Sequence, residues 1–458
     1  MNDRKVCVHF LTMRRLLILS LFIPFATQSY AAGDLPTSGK LQQTVLKNGI
    51  KLVVEEDHSA PEAIVQVWHK VGGRDEVPGK TGLAHVLEHM SFKGSKKLAP
   101  GEFSHRIAAM GGNDNAFTAT DYTAYFEIIP AEHVDEVLAM EADRFTHLRL
   151  AEADYAKEIK VIMEERRMRT DDDPNSRMFE ELSAVALRLS PYRNPVIGWM
   201  QDLKHLNIKD VRAFYHKYYV PGNATVVIVG DVNFAHVKQV VVRTFGHLKK
   251  RPVPPRFNPV EPEPIGPKRM IANLPAQLPM DVIAMPVPVW HPGKNDVQAA
   301  ALAVATEILA GGRSAVLTRQ LVDQQRKAFS VGAGYDPFSM RIDLWNAYGM
   351  LGPKQGSSAF EKAFWMTLDK LRDQGPSTAQ LAAAKRGMIA DEVFAQDSLY
   401  LRAKEIGELE SVGIGADKRD AWLAALREVT AADVKRVLKR WIRPERATIG
   451  LLQPEAHS

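Results

Sequence analysis

Three residues within one short stretch can do chemistry together: His85, Glu88 and His89, in the run from Thr81 to Gly94 that reads Thr-Gly-Leu-Ala-His-Val-Leu-Glu-His-Met-Ser-Phe-Lys-Gly. Histidines four apart stand one above the other on a helix, so both imidazoles can converge on one ion. Glu88 beside them is placed to hold a water on that ion and take its proton. His-x-x-Glu-His in this order is a zinc peptidase motif. The pattern implies one Zn2+ per chain and a hydrolytic reaction. It also demands a third protein ligand from elsewhere, because a catalytic zinc keeps its fourth position open.

That ligand has to come from another element. A helix expected over 153–169 offers Glu158, Glu164 and Glu165. Seven residues make almost two turns, so Glu158 and Glu165 share a face while Glu164 is turned away by about 100°. On this ground both members of the pair remain candidates.

The elements that must position these groups follow from periodicity. Leu83, Val86, Leu87 and Met90 repeat at helical spacing, with Thr81 expected as the cap and Gly94 as the end. Lys47-Asn-Gly turns into a strand, Ala63 to Val71 reads as a second, and Asn223 to Val232 as an apolar strand closing the first half. Between them lie a helix over 100–110, the turn Gly111-Gly112, one strand over 115–129 and a helix over 132–146. The frame Asn207, Asp210, Val211, Pro221, Ala224, Thr225 returns as Thr430, Asp433, Val434, Pro444, Ala447, Thr448, at a constant offset of 223 residues. Two units of one plan follow. The fold class is therefore α+β, two similar domains each built on a mostly antiparallel sheet packed with helices. The second lacks the metal motif: its early helix, 297–310, is apolar and free of histidine, and His291 before it reads as a turn residue. Seven prolines between Arg251 and Lys268 mark an extended linker. The expected divisions are 1–31, 32–250, 251–269 and 270–458. In the helix over 431–443, Val434, Val437, Leu438, Trp441 and Ile442 make a core stripe, and the lysines and arginines opposite make a solvated face rather than a membrane or nucleic-acid surface.

The first 31 residues differ from the rest. Arg4, Lys5, Arg14 and Arg15 precede an apolar run over 16–26, and Ser29-Tyr30-Ala31 offers small residues for cleavage after Ala31. This reads as a secretory signal peptide, with Met13 serving equally as a start, and implies an exported protein of the bacterial periplasm. The run is too short for a membrane span. Cys7, the one cysteine, falls in this leader, which excludes thiol catalysis and disulfides from the mature chain. Losing four basic residues and Asp3 lowers the formal charge from +5 to +2, so no nucleic-acid partner is expected.

The chain resembles the insulinase and pitrilysin family of zinc peptidases, in the short-subunit branch that includes the mitochondrial processing peptidase. The likeness rests on Leu46-Lys-Asn-Gly, Gly82-Leu-Ala-His-Val-Leu-Glu-His-Met, Gly112-Asn-Asp-Asn-Ala-Phe-Thr, Glu164-Glu165-Arg-Arg-Met, Tyr219-Val-Pro-Gly-Asn-Ala, Gly230-Asp-Val and Gly311-Gly-Arg-Ser. It implies that Glu165 is the third ligand, that Glu158 supports a ligand histidine, and that Glu88 is the general base on a zinc-held water. It further implies that a peptide substrate adds as a strand at Asn115 and Ala116. The family's second unit carries an arginine and, seven residues on, a tyrosine that bind substrate and stabilise the oxyanion. Val322 and Phe329 stand at those places, and neither donates a hydrogen bond; Tyr335 is a weaker substitute. The resemblance thus implies a peptidase completed by a related partner subunit that supplies the Arg/Tyr pair. A non-catalytic assembly subunit and a self-sufficient homodimer are the alternatives.

Overall fold

The structure, a computed structural model, describes residues 40–294, 296–353 and 355–455. The leader, its cleavage point and Cys7 lie outside the described residues. In the first half the strands β1 (Leu41–Val45), β2 (Lys51–Glu56), β3 (Glu62–His69), β4 (Asn113–Thr118), β5 (Thr123–Pro130) and β6 (Ala224–Gly230) form one six-stranded sheet in the order β1-β2-β6-β3-β5-β4. In the second, β7 (Lys268–Leu274), β8 (Met280–Pro288), β9 (Ser330–Gly334), β10 (Ile342–Met350) and β11 (Thr448–Pro454) form a five-stranded sheet in the order β7-β11-β8-β10-β9. Each sheet has a single parallel pair, β2 with β6 and β7 with β11, and every other pair is antiparallel. The α+β class and its two alike layouts are as the repeat implied: without β1, the two strand orders match one to one.

The first half's helices are α1 (Leu83–Met90), α2 (Glu102–Ala109), α3 (Val134–Thr146), α4 (Glu152–Arg166), α5 (Pro174–Ala186), α6 (Met200–His205), α7 (Ile208–Tyr218) and α8 (Phe234–Phe245). The second half's are α9 (Asp296–Ala310), α10 (Ser357–Gln374), α11 (Thr378–Ala395), α12 (Leu399–Ser411), α13 (Arg419–Glu428) and α14 (Ala431–Trp441). The repeated frame sits on α7 and α14. Asn207 with Asp210, and Thr430 with Asp433, each close a capping box.

Alternation along the strands shows why the sheets read as apolar. Leu52, Val54, Val65, Val67, Val226 and Ile228 point to one face, under α3 and α8. Val53, Ile64, Trp68, Val227 and Val229 point to the other, where they meet Ala403 and Ile406 of α12. The second sheet answers in kind: Val282, Ala284 and Leu452 pack on Met178 and Leu182 of α5. Each half thus lends a helix to the other half's sheet. Sheets covered on both faces need near-continuous apolar strands, and β3 and β6 are of that kind.

Two expectations are corrected. The single strand over 115–129 is a hairpin, β4 and β5, turned at 119–122 by Ala119 N–H donating to Tyr122 O at 2.8 Å. The helix over 153–169 ends at Arg166 and continues as a widened π turn, Arg167–Asp171, closed by Asp172 N–H on Arg167 O at 2.8 Å. The proline-rich segment is extended and strapped down. Arg256 forks onto Asp75 at 2.9 and 2.6 Å, and Glu261 accepts from the amides of Arg188, Leu189 and Ser190. Among the described residues no helix is long and apolar enough to cross a membrane.

Candidate active site

The buried helix α1 starts in a way the sequence reading missed. Thr81 is not its cap, because its hydroxyl donates to Asp202 Oδ2 at 2.6 Å. Gly82 turns the chain at φ 91°, a conformation that favours glycine. The open amides are met from outside: Glu76 accepts from Gly82 N–H and Ala84 N–H, each at 2.7 Å. Burial drives the Glu76 carboxyl well above the ordinary range, and these two amides pull it back. The helix ends at Met90, short of Gly94.

On α1, His85 and Glu88 are buried, and His89 is nearly so. The two imidazoles meet edge to face with ring centroids 4.6 Å apart. Helix α4 packs across α1 and brings Glu165 to them. Glu165 Oε2 lies 3.4 Å from His89 Nε2 and 3.8 Å from His85 Nε2. The three donor atoms lie within 4.8 Å of one another, the only such group among the described residues. Bond lengths near 2.1 Å in a tetrahedron separate ligand atoms by about 3.4 Å, so the set needs little adjustment to hold a zinc. His89 Nε2 is buried without a hydrogen bond, the cost of which a metal would remove. Burial lowers the proton affinity of His89, but Glu158, Glu165 and Glu88 outweigh it and push the imidazole up to about 9. Carboxylates grouped round buried imidazoles make a place for a cation.

Of the two candidates on one face of α4, Glu165 thus faces both Nε2 atoms. Glu158 instead meets the far side of His89: its Oε1 lies 3.1 Å from Nδ1, and its Oε2 takes Lys93 Nζ at 2.5 Å. Burial opposes its charge, yet His89 and Lys93 hold the Glu158 carboxyl below the usual range. A carboxylate on the second nitrogen fixes which nitrogen faces the ion. Glu164 points away and pairs with Arg167 at the surface.

Three contacts had no assignment from sequence. Thr118 Oγ1 donates to Glu88 Oε2 at 2.5 Å, inside the protein. Period two along β4 could have found it, since Ala116 and Thr118 share the buried face. Lys93 stands four residues after His89. Arg169, four after Glu165, brings Nη1 to within 2.9 Å of Glu165 Oε1. Asn115 and Ala116 lie on β4, which among the described residues pairs only with β5 and so edges the sheet; Asn115 Oδ1 accepts from Ala116 N–H at 2.8 Å.

In the second half, Phe329 is 70% exposed and Val322 packs against the core. The Tyr335 hydroxyl donates to Pro288 O at 2.7 Å, so its proton is already used.

Comparison with known proteins agrees with this picture. The profile described as "Insulinase (Peptidase family M16)" matches residues 51–199, and that described as "Peptidase M16 inactive domain" matches 205–388. The zinc protease PqqE of Helicobacter pylori is 30% identical over 97% of this chain and all of that protein. An uncharacterized zinc protease of Streptomyces coelicolor is 27% identical over 92% of each chain. The crystal structure of a protease from Helicobacter pylori superposes with a TM-score of 0.85 at 28% identity, over 91% of this chain and all of that one. The first half of the periplasmic protease PqqL from Escherichia coli shares the fold, with a TM-score of 0.75 at 16% identity over 92% of this chain and 93% of that one. The chain belongs to the insulinase family of peptidases, and its named relatives are zinc proteases.

Proposed function

We propose that the chain is an exported zinc metallopeptidase subunit that hydrolyses peptide bonds in peptides or unfolded segments in the bacterial periplasm. Cleavage of a leader after Ala31 would leave a zinc-binding half, 32–250, joined through 251–269 to a second half, 270–458, without a metal site. The observation that carries the reading is the convergence of His85, His89 and Glu165 beside the buried Glu88.

His85, His89 and Glu165 would hold one Zn2+, with Glu158 orienting His89. Zinc held there acidifies water towards neutrality and polarises a carbonyl. Glu88 takes the proton from the attacking water and returns it to the leaving amine, so one carboxylate serves as base and then as acid. An extended peptide adds along β4 at Asn115 and Ala116, where backbone pairing aligns it without regard to its side chains. Val322, Phe329 and the engaged Tyr335 leave this chain short of an oxyanion donor, and a related partner subunit supplies the Arg/Tyr pair. The same substitutions favour the second reading, an assembly subunit without catalysis.

Metal analysis and peptide cleavage on the purified chain separate these. One zinc per chain is expected, lost in Glu165→Gln and retained in Glu88→Gln. Cleavage should be weak alone, rise with the co-purifying partner and vanish in Glu88→Gln. An unchanged zinc content in Glu165→Gln overturns the ligand set. Full activity of the isolated chain overturns the need for a different subunit, and a zinc-loaded complex that cleaves nothing supports the assembly role.

A further inference from the structure

We propose that Arg169 is the positioning residue for Glu165, holding one carboxylate oxygen so that the other faces the two histidines, and thereby setting the affinity of the site for zinc. The proposal rests on the zinc reading above and adds what fixes its third ligand.

The division of labour between the two oxygens is plain in the distances. Arg169 Nη1 sits 2.9 Å from Oε1, while Oε2 lies 3.4 Å from His89 Nε2 and 3.8 Å from His85 Nε2. The backbone beneath is fixed independently. Arg166, one residue after Glu165, is buried and forks onto Glu180 Oε2 and Oε1 at 2.9 and 2.7 Å, with Nη1 also donating to Gly198 O at 2.8 Å. Fixing the Glu165 side chain is a separate matter from fixing the backbone, since glutamate is among the side chains that lose most rotamer freedom when ordered. The π turn that follows carries Arg169, and single π turns inside helices gather at functional sites. An arginine suits the task because it stays charged and its planar fork is already organised.

A guanidinium also repels a nearby metal ion, so the sign has to be decided. The Arg169 side chain is one-third exposed, so part of its charge stays solvated, whereas the Glu165 side chain is 13% exposed. Groups that orient a ligand from behind change metal affinity about ten- to a hundredfold when removed. Positioning therefore outweighs repulsion.

The test uses the full chain, stripped of metal with a chelator, and measures zinc affinity by competition with a chromophoric chelator. Arg169→Met should bind zinc about ten- to a hundredfold more weakly. Arg169→Lys should recover part of the loss, since an ammonium can still reach one oxygen. Arg169→Gln serves as a second neutral variant, and circular dichroism checks that each metal-free chain is folded. Wild-type or tighter zinc binding by Arg169→Met overturns the proposal, as does a loss that Arg169→Lys relieves no more than Arg169→Gln does. A wild-type chain that takes up no stoichiometric zinc overturns the zinc reading, and this proposal with it.

Discussion

On the proposed reading Glu88 moves a proton, a task that asks for one orientation, and Thr118 is a group that holds it there. The hydroxyl donates at 2.5 Å between two buried side chains, and a hydrogen bond to a carboxylate contributes about 1.5–3 kcal/mol. Thr118→Val keeps the shape and removes the donor. In the active complex it should lower kcat about tenfold or more, with KM and zinc content little changed; Thr118→Ser should restore most of the rate. Equal kcat for the valine variant would show that Glu88 needs no such support. At this scale much of the candidate site was legible. His85, Glu88 and His89 sit in one local motif, and the expected helix over 153–169 narrows the candidate third ligand to Glu158 or Glu165. Glu76 was not legible. It reaches the amides of α1 from an irregular segment six and eight residues upstream, where no periodicity predicts a side chain's direction.

Elements were legible where one face meets one neighbour, and obscure where the neighbour belongs to the other half. The stripes of α1 and α14 were read correctly because local period suffices, and the caps of α7 and α14 lie where the repeated frame put them, whereas the start of α1 was missed. The exchange of α5 and α12 was not, since nothing in a helix's own sequence names the sheet it will cover. Two glycines mark these contacts. A Cβ on Gly407 of α12 would lie 1.9 Å from the Trp68 ring, and one on Gly450 of β11 would lie 1.9 Å from the tip of the Met178 side chain. The neighbours differ in how far they can yield. Trp68 is fully buried and its Nε1–H donates to Gln66 Oε1 at 2.7 Å, whereas a methionine end swings readily. Both alanine variants overpack a closed core, at a cost of about 1–3 kcal/mol. Gly407→Ala should fall at the upper end and Gly450→Ala at the lower, as read by denaturant unfolding. Equal losses, or the reverse order, would mean that α12 and Trp68 yield at least as readily as the methionine end does.

For the whole molecule, the exchange changes what the proline-rich segment does. In a chain of two separate bodies it would be the only tie. Here Arg402 of α12 holds Glu55 at 3.1 Å and also pairs with Asp57, Lys51 holds Glu410 at 2.7 Å, and Met340 N–H donates to Asp121 Oδ2 at 3.1 Å. These polar contacts frame two apolar layers, each sealed by a helix from the other half. Separating the halves would expose both layers to water, at about 25 cal/mol for each Å2 of apolar surface. A protease site placed at 259–266, where Val260 and Ile265 are 85% and 90% exposed, should therefore be cut without parting the fragments. After cleavage they should co-elute in gel filtration at the size of the intact chain and unfold in one transition. If the fragments separate under native conditions, the lent helices are weak latches and the strap over 251–267 is what keeps the halves together.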